Sequence, residues 1–195
     1  MPTVTALQAD RGGRVRVELD GTAWRKVPVE VAVRAGLREG RVLDRPALRV
    51  LRRELRRSEA LAIAARALRA RDLSKQQLSE RLERAAVDPR TRRESLATLS
   101  RGGFVDDRRV ARARSTSLAD RGYGDAAIRD DLERKGVTRQ IVDASLEELE
   151  PEAERAGRLV GRRGRSPGTA RYLAGKGFSA DSVEAVLGVR FANDP

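Results

Sequence analysis

The feature that most constrains the fold is an apolar pattern that recurs three times between residues 74 and 187. The pattern is counted from helix starts at Ser74, Gly124 and Arg165. Its first two positions lie four and eight residues after the start, its third lies five residues after the second, and its fourth lies nine residues after the third. These positions hold Leu78, Leu82, Val87 and Leu96; Ile128, Leu132, Val137 and Leu146; and Thr169, Leu173, Phe178 and Leu187. One register kept through three copies, with a single Thr, predicts three tandem three-helix repeats.

The residues before the repeats follow a different pattern. TVTALQA, RVRVEL and TAWRKV alternate apolar and polar residues, and DRGG and DG between them are turn sequences, which predicts a three-stranded β-meander. Helices starting at Pro28 and Asp44 follow it. The predicted fold class is therefore mainly α, an elongated array of three three-helix repeats after a small N-terminal β-meander with helices. The predicted domains are a basic α+β module at 1–57 and repeats at 58–104, 105–149 and 150–195.

Capping residues predict the helix boundaries. Ser74 and Gln77 form the pattern of a capping box, in which each side chain bonds the backbone N–H of the other residue. Further N-caps are expected at Thr138, Ser166 and Ser179. Helix ends are expected at Gly102, Gly122, Gly136 and Gly177. These marks place nine helices between residues 58 and 188.

The composition excludes most kinds of active site. The chain contains no Cys and no His, so it lacks thiol nucleophiles, thiolate metal sites and the usual proton shuttle. The remaining catalytic candidates are the carboxylate pairs at 106–107 and 130–131. Adjacent residues on a helix point about 100° apart, so neither pair alone converges on one metal ion. We interpret both pairs as helix starts or solvated faces, and we expect no enzyme activity, no catalytic residue, no metal site and no cofactor.

The charge is strongly positive and unevenly distributed. The net charge is +12, and residues 1–57 hold 14 basic against 7 acidic groups, whereas residues 58–150 hold 19 against 17. A field of this sign attracts polyanions such as nucleic acid. Arg outnumbers Lys 37 to 4, so biased codon use is an alternative explanation for part of the charge.

The N-terminus and the apolar runs indicate the compartment. MPTVTALQAD lacks the basic opening and apolar run of a signal peptide, and the longest purely apolar stretch, residues 60–65, is too short to span a membrane. We therefore expect a cytoplasmic protein without membrane contact, and a monomer.

A repeat of roughly 45 residues has a marginal core by itself, so stacked repeats share apolar surface and expose an extended binding face.

Two segments carry a resemblance to a known family. GGFVDDRRVA at 102–111 and RGYGDAAIRDDLERKGV at 121–137 resemble the signature of the RecX regulatory family, bacterial modulators of the RecA recombinase. The matching residues are Gly103, Phe104, Val105, Asp106, Asp107, Arg121, Gly122, Tyr123, Gly124, Ile128, Arg129, Leu132, Lys135 and Gly136. The resemblance covers about residues 58–190 and agrees with the repeat count.

Three features depart from the family pattern. Val110 stands where the family commonly has Phe. The first helix of the third repeat contains Gly157, Gly161 and Gly164, which predicts a loose or shortened helix because each interior Gly costs about 0.5–1 kcal/mol. The sequence VDPRTRRESLATL predicts an irregular third helix in the first repeat.

The resemblance implies a protein without chemistry of its own. Such a protein binds RecA, lies in or along the groove of the filament that RecA forms on single-stranded DNA, and limits recombinase, ATPase and coprotease activity. It therefore affects homologous recombination, DNA repair and the SOS response. Repeats that touch successive RecA protomers would bind tightly through several weak contacts. Removal of residues 151–195 is expected to leave the middle repeat folded and to weaken this binding.

The candidate contact residues are mostly arginines, because guanidinium groups bind both carboxylates and phosphates. The set is Arg52, Arg53, Arg56, Arg57, Arg108, Arg109, Arg112, Arg121, Tyr123, Arg129, Lys135, Arg162, Arg163 and Arg165. The runs at 52–57 and 162–165 have the least nearby acid and are the stronger candidates. Arg129 and Lys135 have acidic neighbours and are equally well read as surface decoration. Tyr123, between two glycines, also fits a plug between repeats.

Two other functions are compatible with parts of the sequence. Three-helix bundles with Arg-rich helices also occur in helix-turn-helix regulators that bind DNA directly, but no helix start here clusters the Asn, Gln and Arg that read bases. A metal-dependent nuclease would need Asp106, Asp130 and Asp131 to converge. We expect at most weak, salt-sensitive DNA binding without sequence preference.

Overall fold

The computed structural model describes residues 1–188 of the chain. The chain begins with an antiparallel sheet of strand order β1-β2-β3, formed by β1 (Val4–Asp10), β2 (Arg14–Leu19) and β3 (Thr22–Pro28). Asp20 and Gly21 both have positive φ, +50° and +79°, as a two-residue type I′ hairpin requires. The predicted meander is confirmed. Trp24 sits where the β2–β3 register shifts and is 41% exposed.

Ten helices follow the sheet within the described residues, so the mainly α fold class is confirmed. They are α1 (Val29–Arg34), α2 (Arg45–Ala70), α3 (Lys75–Arg84), α4 (Pro89–Arg101), α5 (Asp107–Asp120), α6 (Asp125–Arg134), α7 (Arg139–Glu147), α8 (Glu152–Arg163), α9 (Pro167–Gly175) and α10 (Ala180–Leu187). No helix within residues 1–188 is long and apolar enough to cross a membrane.

The chain forms two compact units. The first contains Met1–Arg71 and Ser79–Arg101, and the second contains Asp72–Leu78 and the described residues from Gly102 onward. In the first unit, β-sheet valines pack with α1 and the N-terminal half of α2 around the fully buried Leu43 and Leu51. α2 also packs against α4.

α2 is longer than expected. The sequence predicted one helix up to about residue 57 and another from Ser58, whereas α2 is continuous from Arg45 to Ala70. The residues around the expected break contain no Gly or Pro, and Leu55, Ala60 and Ala64 keep one buried face through it. The predicted domain limits stay predictions.

The second unit contains two three-helix bundles. In the first, α5, α6 and α7 pack on one another around Ile128, Leu132 and Val142, all fully buried. In the second, α8, α9 and α10 pack around Leu173. Thr169 is the one polar residue at the repeated apolar positions, and it is buried. Its hydroxyl is satisfied there because it donates to the carbonyl of Gly164 at 2.8 Å.

Most predicted helix boundaries are confirmed. Ser74 and Gln77 form the capping box, with bonds of 3.1 and 3.2 Å, and the hydroxyl of Ser179 caps α10. The N-cap predicted at Ser166 is confirmed, so the start at Arg165 from which the repeat was counted was wrong by one residue. The irregular helix expected at VDPRTRRESLATL is the regular α4, and α8 is unbroken through two of its glycines and ends at Gly164.

Candidate partner-binding surface

In the second unit, the start of α3 docks against the turn that ends α6. Ser74 is fully buried, and its hydroxyl donates to the carbonyl oxygen of Lys135. Asp107, the first residue of α5, accepts a hydrogen bond of 2.8 Å from the backbone N–H of Lys75. Gly136 has φ +73°, and a Cβ there would lie 1.9 Å from Oε1 of Gln76. The first backbone N–H groups of a helix have no partner within the helix. At the start of α3, the bond from Lys75 to Asp107 satisfies one of them, and the bond from Ser74 to Lys135 holds this helix start against the end of α6.

The start of α6 docks in the same way on the turn that ends α9. The N–H of Gly124 donates to the carbonyl of Lys176 at 2.9 Å, and the N–H of Ala126 donates to that of Gly177 at 3.1 Å. A Cβ on Gly124 would lie 2.3 Å from the carbonyl carbon and oxygen of Gly177. The two backbones can approach this closely only because both residues are glycines.

A carboxylate from the next helix completes this second contact as well. Glu152, the first residue of α8, accepts a 2.7 Å bond from the N–H of Asp125, and it also accepts from the backbone and hydroxyl of Ser179 at 3.1 and 2.5 Å. Glu152 therefore has the role at α6 that Asp107 has at α3. The recurrence of Lys-Gly and of an acidic helix start in the sequence therefore encodes the docking of a helix start on the turn that ends another helix.

A buried arginine ties the same region together. Arg155 of α8 is 4% exposed, and its guanidinium donates to the carbonyls of Glu150 and Tyr123 at 3.0 and 2.9 Å and to the carboxylate of Asp125. It also lies 6.0 Å from the ring centre of Phe178. These bonds satisfy a charge that would be costly to bury unpaired.

The carboxylates at this contact have shifted proton affinities. Burial raises the pKa of Asp125, and the charge of Arg155 offsets only part of that increase. Burial also opposes ionisation of Glu152, but the hydrogen bonds from Ser179 and from the N–H of Asp125 outweigh it, so the pKa of Glu152 is lowered. Both shifts follow from the docking of α6 on α8 and α9.

Asp131 forms an ion-pair network with two cations in the first bundle. Arg114 donates two parallel bonds of 2.8 and 2.9 Å to its carboxylate, and Lys135 lies 3.1 Å away. The side chain of Asp131 is 16% exposed. The bonds from Arg114 are the largest cause that lowers the pKa of Asp131 to about 2, followed by the bond from Lys135. Asp131 is therefore an ionised structural residue.

The other carboxylates of the two Asp pairs are structural or solvated as well. Asp106 caps α5 by accepting from the N–H groups of Arg108 and Arg109 at 2.9 and 3.3 Å, and Asp130 is exposed. The helix-start interpretation of Asp106 is confirmed. Within residues 1–188, no three Asp or Glu side chains form a group that could hold a metal ion.

Several predicted contact residues are engaged inside the chain. Ion pairs join Arg53–Glu54, Arg109–Asp72, Arg112–Glu148, Arg129–Asp143 and Lys135–Asp131. Tyr123 is half-buried against the core of the first bundle, with the Lys176 ammonium 4.0 Å from its ring centre, which is the geometry expected of a plug between repeats. Arg121 is exposed, with its guanidinium 5.7 Å from the same ring.

Other predicted contact residues are available to a partner. Arg52, Arg56, Arg108, Arg162 and Arg165 are exposed and form no ion pair within the described part of the chain. Arg57 is half-buried beside Thr98, and Arg163 is exposed and stacks on Tyr172 at 3.9 Å. The three arginines that end α8 and follow it, at 162, 163 and 165, form what we call the α8 patch.

Sequence reasoning missed one exposed aromatic residue. Phe104 lies in the loop before α5 and is 64% exposed. An open cleft of about 580 Å³ lies between α5 and α7. Arg108, Arg109 and Arg112 line one wall, whereas Ile141 and Ala144 line the other. Guanidinium groups beside apolar side chains and an exposed aromatic are typical of protein-binding surfaces.

The chain is similar to known regulatory proteins. Residues 106–146 match the family model described as the RecX second three-helix domain. The chain is 35% identical over 116 residues to the regulatory protein RecX of Deinococcus radiodurans, a match covering 60% of this chain and 55% of that protein. It is 30% identical over 140 residues to the regulatory protein RecX of Acidithiobacillus ferrooxidans, covering 68% of this chain and 91% of that one.

A solved structure agrees in fold. The crystal structure of a regulatory protein RecX superposes with a TM-score of 0.82 and 21% identity, covering 96% of this chain and 99% of the other. At this identity the likeness concerns the fold.

Proposed function

The chain belongs to the RecX family of regulatory proteins, and we propose that it binds the RecA recombinase and the filament that RecA forms on single-stranded DNA. In this proposal it acts without chemistry of its own and restrains the recombinase, ATPase and coprotease activities of the filament. Family membership supports the choice of partner, and the lack of a converging carboxylate site within residues 1–188 fits a binding protein. We further propose that it acts in the cytoplasm, as a monomer.

The observation that carries the proposal is that some signature residues have structural roles whereas another is exposed to solvent. Asp107, Gly124 and Gly136 hold helix starts on helix ends, so they are structural. Phe104, in contrast, is 64% exposed although it belongs to the same signature. An aromatic side chain left in water beside arginines is a typical anchor of a protein interface.

The cleft between α5 and α7 supplies the remaining contacts. Arg108 has no ion-pair partner within residues 1–188, whereas Arg112 is held by two bonds of 2.6 and 2.8 Å to Glu148. We therefore infer that Phe104 and Arg108 contact RecA directly, and that Arg112 shapes the cleft. Carboxylates on the RecA surface are the complementary groups.

The first experiment measures RecA binding and RecA ATPase activity. The wild-type chain should bind filaments on single-stranded DNA and reduce ATP hydrolysis at substoichiometric amounts. Phe104→Ala and Arg108→Glu should each weaken filament binding about tenfold, as expected for residues near the centre of an interface, with unchanged unfolding. Val33→Ala is the matched control, because Val33 is also an exposed apolar residue, at 73%. A wild-type chain that leaves ATPase unchanged, or binds filaments no better than DNA alone, contradicts the proposal.

The α8 patch tests the contribution of several weak contacts. Removal of residues 151–195 is a poor test, because Glu152 and Arg155 close the start of α6 and their loss destabilises the first bundle. Reversal of Arg162, Arg163 and Arg165 to Glu keeps the repeat and reverses the charge of the patch, and it also removes the stacking of Arg163 on Tyr172. We expect weaker filament binding, and a difference from wild type that shrinks as salt rises. Equal affinity at low salt would exclude the patch as a contact surface.

A further inference from the structure

The first unit contains an arginine-lined groove that the proposed function does not use. It has a volume of about 610 Å³ and lies between the N-terminal half of α2 and the start of α4. Its lining residues are Pro46, Arg49, Val50, Arg52, Arg53, Arg56, Asp88, Arg90, Thr91 and Glu94. Five arginines face two carboxylates, which leaves the groove with an excess of three positive charges.

The arginines of α2 form a regular array. Arg49, Arg52, Arg53 and Arg56 have the spacing i, i+3, i+4 and i+7, so they share one face of the helix. All four are exposed, whereas Leu51 on the opposite face is buried in the core. At 1.5 Å per residue, the array is about 10 Å long along the helix axis. A linear array of cations suits a linear polyanion better than a single small anion.

Most of this charge is not neutralised inside the chain. Arg49, Arg52 and Arg56 form no ion pair within residues 1–188, and Arg53 pairs with Glu54, whose side chain is 8% exposed. The groove therefore presents guanidinium groups whose hydrogen-bond donors are free to bind.

The two groove carboxylates are already satisfied on the α4 side. Asp88 accepts from the backbone N–H and the hydroxyl of Thr91 at 3.0 and 2.7 Å, which places it as the cap of α4. Glu94 accepts a 2.9 Å bond from Arg90. Neither carboxylate is committed to the α2 arginines by a hydrogen bond, so an incoming anion does not have to displace one.

We propose that this groove binds the sugar-phosphate backbone of a nucleic acid strand. Forked guanidinium groups match phosphate oxygens. The groove contains no aromatic residue and no Asn or Gln, so it has neither the anchors of a protein interface nor the side chains that read bases. Binding is therefore electrostatic and independent of sequence. The proposal does not depend on RecA, and it gives a location to the weak DNA binding expected from the net charge.

The test measures binding of a fluorescently labelled dT20 oligonucleotide by anisotropy, without RecA, at several salt concentrations. The groove variant is Arg49→Gln, Arg52→Gln and Arg56→Gln combined. The control variant combines Arg66→Gln, Arg69→Gln and Arg71→Gln, which removes the same charge from exposed residues at the other end of α2. Thermal unfolding of both variants verifies that they are folded.

The groove variant should bind at least about tenfold more weakly at low salt, and its slope of log affinity against log salt should fall by about 2, near 0.7 for each lost phosphate contact. At about 0.1 M salt, where charges more than about 10 Å apart are largely screened, the control should change affinity less than about threefold. Equal losses in both variants, or wild-type binding by the groove variant, overturn the proposal. Tighter binding of poly-glutamate than of dT20, lost in the groove variant, assigns the groove to an acidic protein segment and also overturns it.

Discussion

Replacing Gly124 with Ala tests whether the docking of α6 on the turn after α9 holds the second unit together. Gly124 has φ −83° and ψ 171°, a conformation that any residue adopts. An Ala at this position is therefore not strained by itself. Its Cβ, however, would lie 2.3 Å from the backbone of Gly177 and Phe178, so the two segments must separate.

The expected loss follows from the contacts that this separation breaks. The bonds from Gly124 to Lys176 and from Ala126 to Gly177 contribute about 1 kcal/mol each. Overpacking of the new Cβ against the backbone increases the loss of stability by about 1–3 kcal/mol. The smaller conformational entropy of Ala in the unfolded state offsets about 0.4–1 kcal/mol of this loss. We expect a net loss of about 3 kcal/mol in the free energy of unfolding.

The assay is urea unfolding followed by circular dichroism. Gly161→Ala is the control, because Gly161 lies within α8 with no neighbouring atom within 4 Å of a Cβ, and Ala there should stabilise the chain by about 0.5–1 kcal/mol. If the two variants unfold at the same urea concentration, the close approach of the two glycines does not stabilise the fold, and the reasoning is wrong.

Three further changes test other parts of the structure. Asp131→Asn should cost about 2 kcal/mol at pH 7; because the pKa of Asp131 is lowered from 3.8 to about 2, the difference from wild type in urea unfolding should disappear as the pH falls from 4 to 2. Arg155→Met should cost about 3–5 kcal/mol, since it leaves Asp125 without its buried partner, and a loss under 1 kcal/mol would contradict this. Ala86→Gly should increase the free energy of unfolding by about 0.5–1 kcal/mol, and so raise the thermal midpoint, because Ala86 has φ +57°. An unchanged or lower midpoint would show that the turn is not strained.

The sequence predicted the elements whose signals are local. Strand alternation and the Asp20-Gly21 turn predicted the sheet, and Ser74 with Gln77 predicted a helix start, because each signal involves neighbouring residues. The failure at α2 was also local. The predicted boundary at residues 57 and 58 contains no Gly or Pro, and Leu55 and Ala60 stay buried on one face of the helix, so α2 continues through it.

The candidate surfaces were harder to predict because they depend on distant partners. No sequence signal distinguishes Arg112, which Glu148 holds, from Arg108, which has no such partner in the described chain. Arg155 looked like any other helix arginine and is buried. Arg49 precedes Arg52 by about one helical turn, so the helical period indicates it although it is not adjacent to the arginine run at 52–57.

The turn after α3 explains why glycine recurs in the Lys-Gly pairs. Ala86 has φ +57° and ends α3 as Gly136 ends α6 and Gly177 ends α9. A left-handed backbone conformation by itself therefore tolerates Ala at a modest cost in folding free energy. Gly136 and Gly177 differ in that a Cβ would lie 1.9 Å from Gln76 in the first and 2.6 Å from Ala127 in the second. The close approach of a docked helix start, added to the positive φ, is what excludes a side chain at these two positions.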